Sequence, residues 1–145
     1  MIIRAKRLTR TAKLPTQGSK FSAGYDLYAD ISDPMVIAPG DTVHISTGVA
    51  FELPADHFGA VYPRSGLSLS RGLRLANCVG VVDSDYRGAV SVALHNDSPV
   101  KQTILPHERV AQLICQKYTH LEFLEVDDLT DTERGANGFG STGRT

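Results

Sequence analysis

The stretch 80–88 (GVVDSDYRG) carries reactive side chains that a simple turn does not need. Two carboxylates, Asp83 and Asp85, stand with Tyr86 and Arg87 between two apolar runs that each predict a strand. A tight turn usually requires only Gly, Asn, Asp or Ser. The extra polar groups therefore indicate a site at the tip of a hairpin, although this stretch alone is also compatible with a solvated polar turn.

The C-terminal stretch 134–143 is rich in glycine and in hydrogen-bond donors. Glycine lets backbone N–H groups approach a phosphate closely. Arg134 adds a bidentate cation, and Ser141 and Thr142 add hydroxyl donors. Phe139 has no core to enter, which favours stacking on a flat ligand. The stretch lacks the Gly-Lys-Ser/Thr ending of a Walker loop, and a sticky chain end without a ligand stays an open alternative.

Three shorter motifs place polar groups in or beside predicted strands. Arg64, Ser65 and Gly66 follow a strand and open the one predicted helix, where N–H groups attract anions and Ser65 is a good cap. Gln112 is a neutral amide inside an apolar strand, and Asp26 is a carboxylate between two apolar neighbours. Taken alone, Gln112 is explained by a partnered core polar group and Asp26 by a hydrogen-bonded strand residue.

Short strand-like runs separated by Gly and Pro turns must position these groups. The predicted strands are 2–8, 25–29, 42–47, 49–53, 58–62, 81–82, 89–94, 102–105, 110–115 and 121–126. A helix is predicted only at 67–71. Many short strands with little helix predict an all-β sandwich or barrel. Beyond Val126 apolar residues give way to glycine, so we expect a β domain over 1–126 and a flexible arm over 127–145.

Composition limits the function classes. A chain of 145 residues with 41% hydrophobic residues is most simply one domain with a packed core. A net charge of -1 argues against a protein that coats nucleic acid. We find neither an apolar run long enough for a membrane helix nor a signal peptide. Cys78 and Cys115 lie in apolar runs, which predicts buried free thiols in a reducing, cytoplasmic compartment.

Five stretches in order resemble the motif set of the homotrimeric deoxyuridine triphosphate nucleotidohydrolases (dUTPases). They are 23–27 (AGYDL), 63–67 (PRSGL), 80–88 (GVVDSDYRG), 109–113 (RVAQL) and 134–143 (RGANGFGSTG). The resemblance implies a jelly-roll fold and a dUTP diphosphatase, an enzyme that hydrolyses dUTP to dUMP and pyrophosphate with Mg²⁺. Such an enzyme keeps uracil out of DNA and supplies dUMP for dTMP synthesis. One departure is Asn137-Gly138, where the family usually has Gly-Gly before the Phe.

The resemblance also implies residue roles. Asp83 would be the base for a water that attacks the α-phosphorus, and would accept the 3′-hydroxyl of the sugar. Tyr86 would pack flat on the deoxyribose and exclude a 2′-hydroxyl, while Asn77, Gly80 and Val82 would face uracil. The remaining substrate contacts would be Arg64, Ser65, Gly66, Gln112, Arg134, Gly140, Ser141 and Thr142 on the phosphates and Phe139 on the uracil ring. Asp83, Asp26, Ser65 and Arg134 form the expected catalytic set.

The resemblance further implies partners. Asp26 would hold Mg²⁺ through water, without a direct protein ligand, because Mg²⁺ keeps several waters and takes phosphates. A homotrimer would share its active sites, and neither nucleic acid nor membrane would be a partner. Two alternatives stay open: a dCTP deaminase of the same fold, which would use a different constellation of residues, and a nucleotide-sensing regulatory protein. A zinc-dependent deaminase is excluded, because the sequence lacks the H-x-E and P-C-x-x-C motifs of that class.

Overall fold

The computed structural model describes residues 1–138, and within that range regular structure is almost entirely β. The strands are β1 Arg4–Arg7, β2 Thr16–Gln17, β3 Tyr25–Tyr28, β4 Met35–Ile37, β5 Thr42–Ser46, β6 Val49–Glu52, β7 His57–Tyr62, β8 Leu73–Leu75, β9 Gly80–Val82, β10 Ser91–Asn96, β11 Gln102–Ile104 and β12 Arg109–Lys117. The helix α1 spans Ser65–Arg71. The all-β prediction is confirmed.

Antiparallel sheets pack around one core. A five-stranded sheet has the order β2-β3-β12-β7-β9, a three-stranded sheet has the order β5-β10-β8, and β1-β6 and β11-β4 form two pairs. Alternate side chains from the two larger sheets meet in the core, as expected for a sandwich. They include Leu27, Ile45, Val61, Leu75, Val92, Leu94 and Leu113. Over residues 1–138 the sheets do not close into a barrel, so the jelly-roll sandwich is confirmed and a closed barrel is wrong.

The polar stretch 80–88 is not a hairpin tip. Strand β9 pairs with β7 in the five-stranded sheet, whereas β10 pairs with β5 and β8 in the other sheet. The predicted hairpin is therefore wrong, and residues 83–90 cross from one sheet to the other. A hairpin and a crossover both begin and end in strand-like runs, which is why the local pattern did not separate them.

Helix α1 begins two residues before the predicted start. Its N-cap is Arg64, in extended conformation and with no side-chain cap, so the prediction that Ser65 caps the helix is wrong. Gly72 ends the helix with φ 65°, and its N–H bonds the Leu67 carbonyl. A glycine suits this left-handed position because it has no Cβ. Across residues 1–138, no helix has the length and apolar character needed to cross a bilayer.

The chain after β12 has neither strand nor helix up to residue 138. The predicted strand over 121–126 is therefore wrong. Leu121, Phe123 and Leu124 are 69%, 91% and 86% exposed. An apolar segment forms a strand when a neighbouring edge pairs with it, and no edge within residues 1–138 pairs with this one. The division into a β domain over 1–126 and an arm over 127–145 stays a prediction.

Both cysteines are free, but they differ in exposure. Cys78 is exposed in the loop before β9, and Cys115 is half-buried on β12. Burial, followed by the nearby charge of Asp56, raises the pKa of the Cys115 thiol. The expectation of a buried thiol therefore fits Cys115 in part and is wrong for Cys78.

Candidate functional site

A cavity of about 200 Å³ lies between β3, β12 and the start of α1. Its wall includes five of the predicted site residues: Asp26, Arg64, Ser65, Gly66 and Gln112. They belong to three motifs that are far apart in the sequence, and the sheet brings them together because Asp26 on β3 lies opposite Gln112 on β12. Guanidinium, hydroxyl, amide and open backbone groups predominate in this wall. The arrangement suits an anionic ligand with several oxygens.

Asp26 is the carboxylate of this cavity, and it is only 8% exposed. Two arginines neutralise it. The Nε of Arg64 donates to Oδ1 at 2.8 Å, and the Nη1 of Arg109 donates to Oδ2 at 3.2 Å. A buried charge requires such partners, which explains how a carboxylate is tolerated inside a strand.

A hydrogen bond holds the Gln112 side chain at the cavity wall, and the absence of a side chain at Gly24 leaves room for it. Its Nε2 donates to the carbonyl of Pro63 at 2.9 Å. A Cβ at Gly24 would lie 3.0 Å from the Gln112 Cδ and would collide with its Oε1. Gly24 therefore leaves room for the amide, which gives the glycine before Tyr25 a physical role.

Four residues of this wall were not among the predicted site residues, namely Gly18, Ser22, Gly24 and Arg109. Ser22 belongs to a tight turn, in which its Oγ accepts from the N–H of Ser19 at 3.0 Å. Arg109 stands in a recognised motif, but regular strand alternation would send residues 109 and 112 to opposite faces. The signal for Arg109 was therefore present in the sequence and was hidden by an irregularity in the strand.

A second cavity, of about 50 Å³, opens between the two larger sheets. The predicted uracil contacts Asn77, Gly80 and Val82 line it. Asp83 follows directly at the end of β9, and its side chain is exposed. The residues predicted to contact uracil therefore lie together, at a cavity separate from that of Asp26 and Gln112.

The two cavities lie on opposite faces of the five-stranded sheet. Gln112 pairs with Tyr62 of β7, and Gly80 pairs with Val61 of the same strand. Paired residues share a face, while adjacent residues of one strand point to opposite faces. Gln112 and Gly80 therefore face away from each other within one chain.

Comparison with known proteins identifies the family. The dUTPase family model matches residues 10–143. The chain belongs to the dUTPase family. It is 42% identical to the deoxyuridine 5′-triphosphate nucleotidohydrolase of Nautilia profundicola, over 99% of this chain and 100% of the relative. It is also 42% identical to that of Corynebacterium glutamicum, over 99% and 95%. The dUTPase of Staphylococcus bacteriophage 80alpha, solved with dUPNHPP, superposes with a TM-score of 0.89 at 26% identity, covering 98% of each chain.

In this member of the dUTPase family, the crossover after β9 holds Tyr86 in a fixed place. The Tyr86 hydroxyl donates to the carbonyl of Ala89 at 3.1 Å. Its ring occupies the space that a Cβ at Gly88 would need. Arg87 donates to the carbonyl of Ser84 at 2.7 Å. The crossover is thus closed by its own side chains, and the Tyr86 ring, which is 47% exposed, presents a fixed surface.

Half of the fifth dUTPase motif, residues 139–143, lies beyond the described residues. Arg134 forms a local turn, in which its Nε donates to the Asn137 carbonyl at 2.9 Å. The predicted contacts Phe139, Gly140, Ser141 and Thr142 lie outside the described residues, so their roles stay predictions.

The donor set fits Mg²⁺ only in an indirect way. Among residues 1–138, no group of three or more His, Cys, Asp or Glu side chains is placed to hold a metal ion. A direct protein cage is therefore a poor fit. Asp26 still has acceptor capacity, because a carboxylate offers about four lone-pair sites and its two arginines use two. Mg²⁺ keeps waters and binds phosphates, so Asp26 fits it through water.

Proposed function

We propose that this chain hydrolyses dUTP to dUMP and pyrophosphate, with water attacking the α-phosphorus. The observation that carries the proposal is the 200 Å³ cavity, where donors from three dUTPase motifs converge. The relatives from N. profundicola and C. glutamicum, which are named for this reaction, support it. The activity would keep uracil out of DNA and supply dUMP for dTMP synthesis.

The cavity supplies the groups that a triphosphate needs. Phosphoryl transfer depends mainly on positioning and on charge stabilisation. The Arg64 guanidinium, the Ser65 hydroxyl and the Gln112 amide would bind phosphate oxygens, with Ser65 at the bridging oxygen that departs. At Gly66, space is open within 4 Å of the place where a side chain would begin, so a phosphate can approach its backbone.

Asp83 is the proposed general base. Its exposed carboxylate would take a proton from the attacking water and accept the sugar 3′-hydroxyl. The fixed Tyr86 ring would pack against the deoxyribose. A rigid surface can exclude a 2′-hydroxyl by steric conflict, which an apolar pocket alone does poorly. Asn77, Gly80 and Val82 would contact uracil at the second cavity.

Mg²⁺ would be held through water by Asp26 and directly by the substrate phosphates. When bound, the ion supplies neutralisation of the negative charge on the phosphate chain. Asp26 keeps its position through Arg64 and Arg109, so the chain prepares this point before substrate binds.

The arm over 127–145 would complete the site. Arg134 would bind the phosphate chain and contribute to catalysis. The further contacts would be Gly140, Ser141 and Thr142 on phosphate and Phe139 on uracil. Closure of this arm would exclude water and commit the substrate.

We propose a homotrimer with shared sites, and the placement of the two cavities supports the sharing. Residues on opposite faces of one sheet cannot both contact one nucleotide within one chain. A neighbouring chain can bring its second cavity to the first, as a closed ring of copies would. Each active site would then combine Asp83 of one protomer with Arg64 and Gln112 of another.

Pyrophosphate release from dUTP, UTP, dTTP and dCTP tests the activity. We expect turnover of dUTP well above that of the other three. The Asp83→Asn variant should lose about 10²-fold or more in kcat while KM stays within a few-fold, because a general base contributes about 10²–10⁴-fold. Ammonia released from dCTP would favour the deaminase alternative, and near-normal turnover in Asp83→Asn would remove this residue from the base role.

Mixed assemblies test the shared site. Asp83→Asn and Arg64→Gln chains, each nearly inactive by itself, are co-assembled in equal amounts. If sites are shared between chains, random mixing should restore about a quarter of the wild-type sites. If each site belongs to one chain, every site keeps a defect and no activity returns. Nucleotide sensing without turnover stays an alternative that the wild-type assay decides.

A further inference from the structure

Arg109 stands at a bulge that changes which face of β12 it occupies. The pairing with β3 runs Arg109 to Tyr28, Ala111 to Leu27 and Gln112 to Asp26, so one extra residue is inserted between 109 and 111. Residues three apart in a regular strand point to opposite faces. The inserted residue reverses this alternation and brings Arg109 and Gln112 to the same cavity. Bulges next to active sites often re-aim a side chain in this way.

The start of β12 is firmly anchored, so the position of Arg109 is set before any ligand arrives. Glu108 accepts from the Nη1 of Arg71 at 2.6 Å and from the N–H of Leu105 at 2.9 Å. The N–H of Ala29 bonds the Glu108 carbonyl at 2.8 Å. These bonds fix the turn that leads into the bulge.

The arginines on Asp26 have different surroundings. The Arg64 side chain is 25% exposed, whereas Arg109 is 50% exposed. Arg64 also donates from Nη1 to the Arg109 carbonyl at 3.3 Å. If Arg64 turns to a phosphate, Oδ1 of Asp26 loses its partner, and without Arg109 the buried carboxylate would be left unpaired. Arg109 is the cation that can remain on Asp26 during that exchange.

We propose that Arg109 is a positioning residue, which holds Asp26 in place for the hydrated Mg²⁺ while Arg64 moves to the phosphate chain. Given the proposed function, on which this inference rests, Arg109 acts on substrate only through Asp26. Its loss should therefore lower the affinity of the nucleotide complex for Mg²⁺ and leave magnesium-free nucleotide binding unchanged. A phosphate ligand would show the opposite pattern.

The test uses the full-length chain with Arg109→Met and Arg109→Lys. Arg74→Met is the matched control, since Arg74 is 49% exposed and pairs with Asp97 at 2.6 Å, outside the cavity. Binding of α,β-imido-dUTP, a non-hydrolysable analogue, is measured by calorimetry with EDTA and across a Mg²⁺ titration. Turnover of dUTP is measured across the same titration.

For Arg109→Met we expect the Mg²⁺ concentration at half-maximal binding and rate to rise about 10-fold or more, as is typical for residues that orient a metal ligand. Affinity in EDTA and the KM for dUTP at saturating Mg²⁺ should stay within about 3-fold. Arg109→Lys keeps the charge and should recover most of the loss, with a rise of about 3-fold. Arg74→Met should match wild type.

Two results would overturn the inference. One is an unchanged Mg²⁺ titration in the Arg109 variants. The other is a fall of EDTA affinity as large as the fall with Mg²⁺, which would make Arg109 a phosphate ligand. If Arg109→Met does not fold, the Arg109→Lys titration decides alone. If the wild-type protein neither binds the analogue nor releases pyrophosphate, the proposed function fails. If the wild type is active and the Arg109 variants behave like it, only the inference about Arg109 fails.

Discussion

Substituting Gly24 by alanine should displace Gln112, a proposed phosphate contact, although Gly24 itself is assigned no contact with the substrate. The new methyl carbon would lie 3.0 Å from the Gln112 Cδ and 3.1 Å from its Cβ, and would overlap its Oε1. Favourable carbon contacts lie at about 3.5–4.0 Å. The backbone at Gln112 is held between β3 and β7, so the amide end must move.

The magnitude follows from the contacts that Gln112 would lose. Its hydrogen bond to the Pro63 carbonyl, 2.9 Å long, would break, and overpacking of this kind costs about 1–3 kcal/mol of stability. A neutral amide that binds a charged phosphate contributes about 1.5–3 kcal/mol. If that bond acts in the transition state, kcat/KM for dUTP should fall by about 10- to 150-fold.

A double-mutant cycle separates this mechanism from general damage. We would measure kcat/KM for Gly24→Ala, Gln112→Ala and the double variant, with unfolding curves for each. Gly24→Ala should add little in the Gln112→Ala background, since its effect passes through the missing side chain. Full additivity of the two losses, or wild-type kcat/KM in Gly24→Ala, would refute the reasoning.

Two further predictions concern stability. His107 has φ 60° and a buried Nδ1 without a hydrogen-bond partner among residues 1–138. His107→Gly should therefore raise the free energy of unfolding by about 1 kcal/mol, measured by urea titration at fixed protein concentration. A lower free energy of unfolding would contradict this. Hydrogen bonds from Lys117 and then His57 lower the pKa of Asp56 below 3.8. Its contribution is therefore present above the unfolded-state pKa and lost as pH falls through the folded value. Asp56→Asn should flatten the acid limb of a thermal stability profile slightly, and an unchanged limb would contradict it.

The sequence was sufficient for the fold class because alternation and turn residues are local signals. Strands β5, β6 and β7 lie within two residues of their predicted bounds, and Gly48, with φ 63°, separates β5 from β6 as expected. The short helix was also found. Such elements need no knowledge of which strand is the neighbour.

Pairing partners were the part that the sequence could not supply. Strands β9 and β10 are consecutive, yet they belong to different sheets, and the choice depends on contacts with β7 and β5 far away in the chain. The segment 121–126 is rich in apolar residues, as a strand can be, but no edge within residues 1–138 pairs with it. Local propensity reports only that a strand is possible, and the tertiary context decides whether it forms.

The motifs predicted most residues of the candidate site. Because strand pairing cannot be read from local sequence, they did not predict that the site is divided between two cavities, or that Arg109 belongs to it. Motif order identified Asp26, Arg64, Ser65 and Gln112, which share one cavity. Whether Asp83 lies near them depends on which face of the sheet the side chains of β9 and β12 occupy, and the register of strand pairing decides this. Arg109 depends on the bulge, since one inserted residue moves its side chain to the opposite face. If Val110 were deleted to restore regular pairing, the side chain of Arg109 would lose its contact with Asp26. The bulge is for this reason part of the site.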